Sequence, residues 1–335
     1  MSGWRPTLPV LFKEFKVFMR GSRAALVLAL YVGLATIAAR LLTGAVLEQL
    51  DRGAPLLSAQ IGQVLFIGIS LGLQALTVFL SPAITLNAIS HEYERGAFEM
   101  LLLTPVPPLQ FVIGKLVTGL AFLLLLQLAV APVFAIVTLF GGVTVADITR
   151  VAGILMITML AGSVFGLFCS ALTRQTYSAV LLCYAVLFTL IGGTLFAASV
   201  WSLVNGMQLA PPVFVVANPL SAMGAALSEA QPPVVSFTGG LRPLALLIPL
   251  TRGVANLGGV GVTDSVPLYR ATAVLYAGVS LLLLWATLHL ALPRRRWRLT
   301  SVDAVVALLL LGGLVLAYGF RDWWLAGLGV APGGA

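Results

Sequence analysis

Few residues of this chain have both the type and the spacing that chemistry needs. Gly68-Ile69-Ser70-Leu71-Gly72 has the G-x-S-x-G pattern of a serine nucleophile. That motif works at a strand-to-helix turn, and here it lies inside a long apolar run with no base beside it. The same residues read as G-x-x-x-G, a face on which two membrane helices pack closely, and Gly162-Ser163-Val164-Phe165-Gly166 repeats the pattern. Cys169 and Cys183 lie in apolar segments without metal-ligand spacing, so core packing is their expected role. No metal site is expected. His91-Glu92 lacks the second histidine of H-E-x-x-H, and His289 stands alone. Gly114-Lys115 has neither the upstream glycine nor the following Ser/Thr of a phosphate loop, so this chain is not expected to bind ATP. No catalytic residue is assigned.

The remaining polar chemistry is concentrated in one place. Between His91 and Glu99 stand Glu92, Glu94, Glu99 and Arg95, set in almost continuous hydrocarbon. Membrane-buried sequence rarely carries such a group, so the chain is expected to leave the bilayer here. At about 100° per residue, Glu92, Arg95 and Glu99 share one helix face, with Tyr93, Ala97, Met100 and Leu101 opposite. Glu92–Arg95 and Arg95–Glu99 would be helix-supporting pairs. Thr104-Pro105 ends that helix, because the residue before proline avoids the α region. The expected object is a short amphipathic lever joined to two spans. A solvated turn with favourable charge pairs is the plainer alternative.

The elements that must position this segment follow from composition. The chain has 335 residues, 60% hydrophobic, 9% charged, with a mean hydropathy of +1.06. Soluble domains carry about 25% charged residues, so an all-α, polytopic membrane bundle is expected. The net charge of +8 lies between apolar runs and not on a soluble domain, which argues for membrane orientation over nucleic acid. Seven runs approach the length of about 20 residues needed to cross. They are Ala24–Leu47, Ile61–Leu86, Leu116–Phe140, Val151–Leu172, Ser178–Val200, Ala271–Leu292 and Ala304–Phe320. Pro82 should kink the second run or end its regular hydrogen bonding.

Placing the N-terminus inside gives the inner segments Arg5, Lys13, Lys16, Arg20, Arg23, Arg95, Lys115, Arg174 and the Arg294–Arg298 cluster, 12 of the 19 basic residues. That imbalance favours a cytoplasmic N-terminus. About 23 residues precede the first run, too many for an ordinary signal peptide, so an uncleaved first span is expected. Residues 8–23 form a basic amphipathic pattern that would lie along the inner leaflet, or serve as a simple positive anchor. The outer segment 201–266 holds seven prolines and few charges. Short helices buried against the outer half of the bundle would suit it. One domain is read: an elbow at 1–23, a membrane bundle at 24–292, and a basic linker with an extra span at 293–335.

These residues resemble the membrane subunits of ATP-binding-cassette exporters of the type-2 permease family. The family's elbow pattern is matched by Pro9, Lys13 and Glu14, with Lys16 following. Its coupling segment between spans two and three is matched by Glu94, Arg95, Gly96, Glu99, Leu101, Leu102, Leu103, Thr104, Pro105, Gly114 and Lys115. Asn218-Pro219-Leu220 resembles a recurrent outer-loop pattern of the family. The resemblance covers about residues 8–292. It implies six family spans, a separate cytosolic ATPase subunit carrying ATP and Mg, a second permease subunit (the same or different), and a multi-pass position in a bacterial inner membrane among lipid. A seventh span departs from the family's usual count.

Two other readings belong to different classes. An intramembrane enzyme would need several catalytic side chains at one depth, and only Ser70 offers itself. An ion-coupled carrier usually keeps an ionisable group inside the spans, where this chain has only Gln74, Asn87 and Gln127. Those amides could line a path or bond helix to helix. The apolar outer segment fits amphiphiles, drugs, lipid-linked sugars or peptides alike as cargo.

Overall fold

The computed structural model describes residues 22–51, 58–94, 96, 108–206, 210–229, 267–290 and 301–328, and these contain helices and no strand. In chain order the helices are α1 (Ser22–Asp51), α2 (Ser58–Glu94), α3 (Pro108–Leu139), α4 (Val145–Thr173) and α5 (Thr176–Phe188). A π-turn at Thr189–Gly193 leads directly into α6 (Thr194–Val204). Then follow α7 (Pro219–Glu229), α8 (Leu268–Leu290), α9 (Ser301–Gly319) and α10 (Arg321–Leu325), with short 3-10 turns at Pro212–Phe214 and Ala326–Leu328.

Five of the expected spans are present as helices long and apolar enough to cross a bilayer: Ile61–Glu94, Leu109–Leu139, Val145–Thr173, Thr176–Val204 and Leu268–Leu290. The first and last expected runs fall in α1 and α9, whose described apolar stretches are the shorter Ala25–Leu41 and Ala304–Gly319. Residues 1–21 lie outside the description, and with them the elbow positions Pro9, Lys13, Glu14 and Lys16.

Helix α2 is the centre of the bundle and makes its most extensive contact with α4. It runs through Pro82 to Glu94 without ending. Proline removes a helical donor, and such a site persists where neighbours bond the exposed backbone. The carbonyl that loses its helical donor is that of Val78, four residues before the proline; next to it, the Tyr184 hydroxyl of α5 donates to the Phe79 carbonyl at 3.0 Å. Thr85 Oγ1 lies 3.2 Å from the Pro82 carbonyl and donates across to the Ser163 carbonyl of α4 at 2.8 Å.

Gly162 and Gly166 let the two helices meet. A Cβ at Gly162 would run into Ser81, and one at Gly166 would lie 2.7 Å from the Pro82 carbonyl oxygen and 2.9 Å from its Cα. The α4 pair is therefore a close-packing face. On α2 the expected pair behaves differently: Gly72 faces open space and Gly68 is half-buried.

Ser70, Gln74, Thr77, Ser81 and Thr85 recur every three or four residues along α2, which puts them on one face. All five are buried, as are Thr158, Ser163 and Ser170 on α4. The seam between the two central helices is thus polar. Apolar packing surrounds it, with Phe66, Leu73, Phe122, Leu126, Val130 and Ile154 in the main cluster. Between membrane helices such hydrogen bonds are each worth about 1 kcal/mol, and van der Waals contact supplies the rest.

The described part of the 201–266 segment includes one short buried helix, α7. Asn218, Ser221, Met223 and Leu227 of the α7 region are fully buried against the bundle. By contrast α9 is exposed along most of its length, with Leu308, Leu311, Leu314 and Val315 each at least 60% exposed.

Candidate functional site

The charged segment at the end of α2 meets two other helix starts. Glu92 pairs with Lys115 of α3 at 3.3 Å, and the Lys115 ammonium lies 5.6 Å from the Phe111 ring. Glu94 reaches α5. Its Oε1 accepts from the Thr176 backbone N–H at 2.7 Å and its Oε2 from the Thr176 hydroxyl at 3.0 Å. Thr176 is the first residue of α5, so its N–H has no partner within that helix. Gln175, in the N-cap position, makes no side-chain cap bond. Glu94, 82 residues away in sequence, takes the cap's place. A carboxylate there also complements the positive end of the helix dipole.

The α4–α5 turn is clasped from the same side. Arg174 sits in the left-handed region at φ 55° and ends α4 with its N–H on the Ser170 carbonyl. Its guanidinium lies over the Tyr93 ring at 5.2 Å. Deeper in, Ser90 Oγ and Thr176 Oγ1 are 3.1 Å apart. Ser170 Oγ accepts from the backbone N–H groups of Ile89 at 3.2 Å and Ser90 at 2.8 Å. The end of α2 is thereby tied to α3, α4 and α5. Its groups are anchors between helices.

Helix α2 is described as far as Glu94, and Gly96 turns the chain at φ 66°, donating to the Tyr93 carbonyl at 3.1 Å; of the expected face only Glu92 lies among the described residues. A left-handed glycine just past the last turn is a common helix terminator. Arg95, Glu99, Leu102, Thr104 and Pro105 lie outside the described residues. Glu92's partner is Lys115 of α3, 23 residues away, which a helix-pair rule does not capture.

The amides separate into two groups. Gln74 is fully buried, and its Nε2 lies 2.9 Å from Thr158 Oγ1 of α4 and 3.0 Å from the Pro219 carbonyl at the start of α7. Gln127 donates to Thr77 Oγ1 at 2.7 Å, joining α3 to α2. Both bond helix to helix. Asn87 is exposed on α2.

Sequence reasoning missed Thr176 and the buried Ser81 and Thr85. Thr176 begins an apolar run right after a polar pair, which is a helix-start signal, but nothing local names Glu94 as its cap. The hydroxyl stripe was readable from its spacing.

Among curated proteins no match is found. A family model described as ABC-2 family transporter protein matches residues 8–294, most of the chain and all of the anchored segment. A multi-pass helical bundle with no assigned chemistry, matched over that length, belongs to the ABC-2 family of transporter membrane proteins.

Proposed function

We propose that this chain is the permease subunit of an ATP-driven exporter, working as a dimer of membrane subunits with two cytosolic ATPases that hold ATP and Mg. The family match carries the transport reading. The ties of Glu92 to Lys115 and of Glu94 to Thr176 support the mechanical part. An ATPase that displaces the 95–107 segment would pull on the ends of three spans at once.

In this reading the Glu94 end faces the cytoplasm and the N-terminal elbow, with Pro9, Lys13, Glu14 and Lys16, lies along the inner leaflet of a bacterial inner membrane. Helices α1 and α9 complete seven spans, six of them of the family type. Trp323 and Trp324 then lie in the outer interfacial belt, where amphipathic aromatic rings are enriched. The guanidinium of Arg270, at the start of α8, lies 5.3 Å from the Trp323 ring. Gln74 and Gln127 hold the bundle together, and Asn87 remains available to line a path. The partners are protein subunits and lipid, with no nucleic acid.

Arg95 and Glu99 are assigned to docking, and Glu94 to passing motion inward. The test is purification of the tagged chain under mild extraction, with ATPase activity assayed on what elutes. A nucleotide-binding protein should co-purify and be lost in the Arg95→Ala, Glu99→Lys double variant. Glu94→Ala should keep the partner but separate ATP hydrolysis from transport. A chain that elutes alone with no ATPase activity would overturn the reading and shift weight to a carrier or intramembrane enzyme.

A further inference from the structure

The fifth span is the one membrane-length helix among the described residues broken by a π-turn, at Thr189–Gly193. Such turns hold one extra residue, leave a carbonyl without its usual helical donor, and mark functional sites more often than chance. At this turn a side chain from elsewhere fills the gap. Asn218 Nδ2 lies 3.0 Å from the Ile191 carbonyl and 2.9 Å from Thr194 Oγ1. Thr194 Oγ1 in turn donates to the Leu190 carbonyl at 2.6 Å, so it accepts from the amide.

The other half of Asn218 faces the outer segment. Its Oδ1 accepts from the Leu220 N–H at 3.0 Å, which sets the first turn of α7. The same short stretch bonds to two further spans. Tyr276 and Thr272 of α8 donate to the Ala217 and Val216 carbonyls at 2.8 and 2.7 Å, and Gln74 of α2 reaches the Pro219 carbonyl. Asn218 is fully buried. One amide thus joins the π-turn to the stretch that bonds α2 and α8.

We propose that Asn218 is a positioning residue that holds the π-turn open, and that release of its amide lets the turn close to α-helix and rotates α6. Closing removes one residue from the turn, which is a rotation of about 100° for everything beyond it. Ala198 and Ser202, now fully buried on α6, would then leave their places, whereas Leu203 and Val204 already lie exposed. Gly192 and Gly193 sit in the turn with no side chain to obstruct that repacking. As a step of transport, the rotation would open or shut the outer end of the path, and that part rests on the permease reading.

The test uses the full chain in lipid vesicles with Cys169 and Cys183 replaced by alanine, a reporter Ser202→Cys, and a membrane-impermeant maleimide. The parent should label slowly. Asn218→Asp keeps the Oδ1 acceptor and removes the donor, and it should raise the labelling rate about tenfold, the effect of losing one buried hydrogen bond of ordinary strength. Thr194→Val removes an acceptor with little change of volume and should act in the same direction, so it decides the matter if Asn218→Asp fails to insert. A reporter at Leu167→Cys, fully buried on α4, should stay protected throughout. Equal Ser202→Cys labelling in parent and Thr194→Val would overturn the proposal. The readout needs neither ATP nor a second subunit, so it stands or falls apart from the permease reading.

Discussion

The end of α2 and the middle of α2 are both bound to their neighbours by polar groups, but by groups of opposite kind. Beyond Ser90, the ties at the Glu94 end use charged, water-accessible side chains: Glu92 and Lys115 keep 27% and 22% side-chain exposure, and Glu94 is exposed. Along the α2–α4 seam they are neutral, short and fully buried. Water competes for an exposed ion pair and salt screens it, so such ties are individually weak. A buried amide or hydroxyl has no solvent to return to, and breaking its bond leaves an unsatisfied group. The same helix is therefore held rigidly at its centre and releasably at its tip. That is the distribution a lever needs.

Three substitutions separate the two regions. Gly166→Leu attacks the seam by volume, because the new side chain meets the Pro82 backbone and backbone has little room to give. The expected loss is about 3 kcal/mol, the upper range for overpacking, read as a drop in thermal midpoint or loss of the monodisperse peak in detergent. A midpoint equal to the parent's would mean that α2 and α4 are less tightly apposed than described. Gln74→Leu keeps the shape but removes the donor to Thr158 and the Pro219 carbonyl. It should cost about 1 kcal/mol, with the outer segment cleaved more readily by added protease. Unchanged cleavage would place the anchor of α7 elsewhere.

Glu92→Gln is the mildest. Its pair is partly exposed, so a stability change of about 0.5 kcal/mol or less is expected, vanishing in high salt. A loss as large as that of Gln74→Leu would erase the contrast between tip and seam.

The bundle was legible because apolar length is a direct physical signal: the runs at 61–86, 116–140, 151–172, 178–200 and 271–292 each overlap a described helical span. The helix ends were less so. Hydropathy stops at Leu86, whereas α2 continues to Glu94, since hydrogen bonding and the Glu94–Thr176 tie extend it beyond its apolar part. The charged residues drew attention to the end of α2, but the partners of Glu92 and Glu94, Lys115 and Thr176, lie 23 and 82 residues away and are set by packing. Gly162 and Gly166 were readable as a close contact because only a residue without Cβ fits there. Gly72 belongs to a pair with the same spacing yet faces open space, which shows that the pattern proposes a face and the neighbour decides it. Nothing local announced the π-turn beyond the Gly192-Gly193 pair.

The hydroxyl of Ser170 has a consequence for how this protein could be watched. Ile89 and Ser90 lie inside α2, yet their amide protons are also held by a side chain of α4. Their exchange with deuterated water then depends on whether two helices are in register, beyond whether one helix is formed. If α2 and α4 slide during a transport cycle, these two amides should lose protection while Thr77 and Ser81 in the same helix keep theirs. Backbone protons would then report such a motion with no label needed.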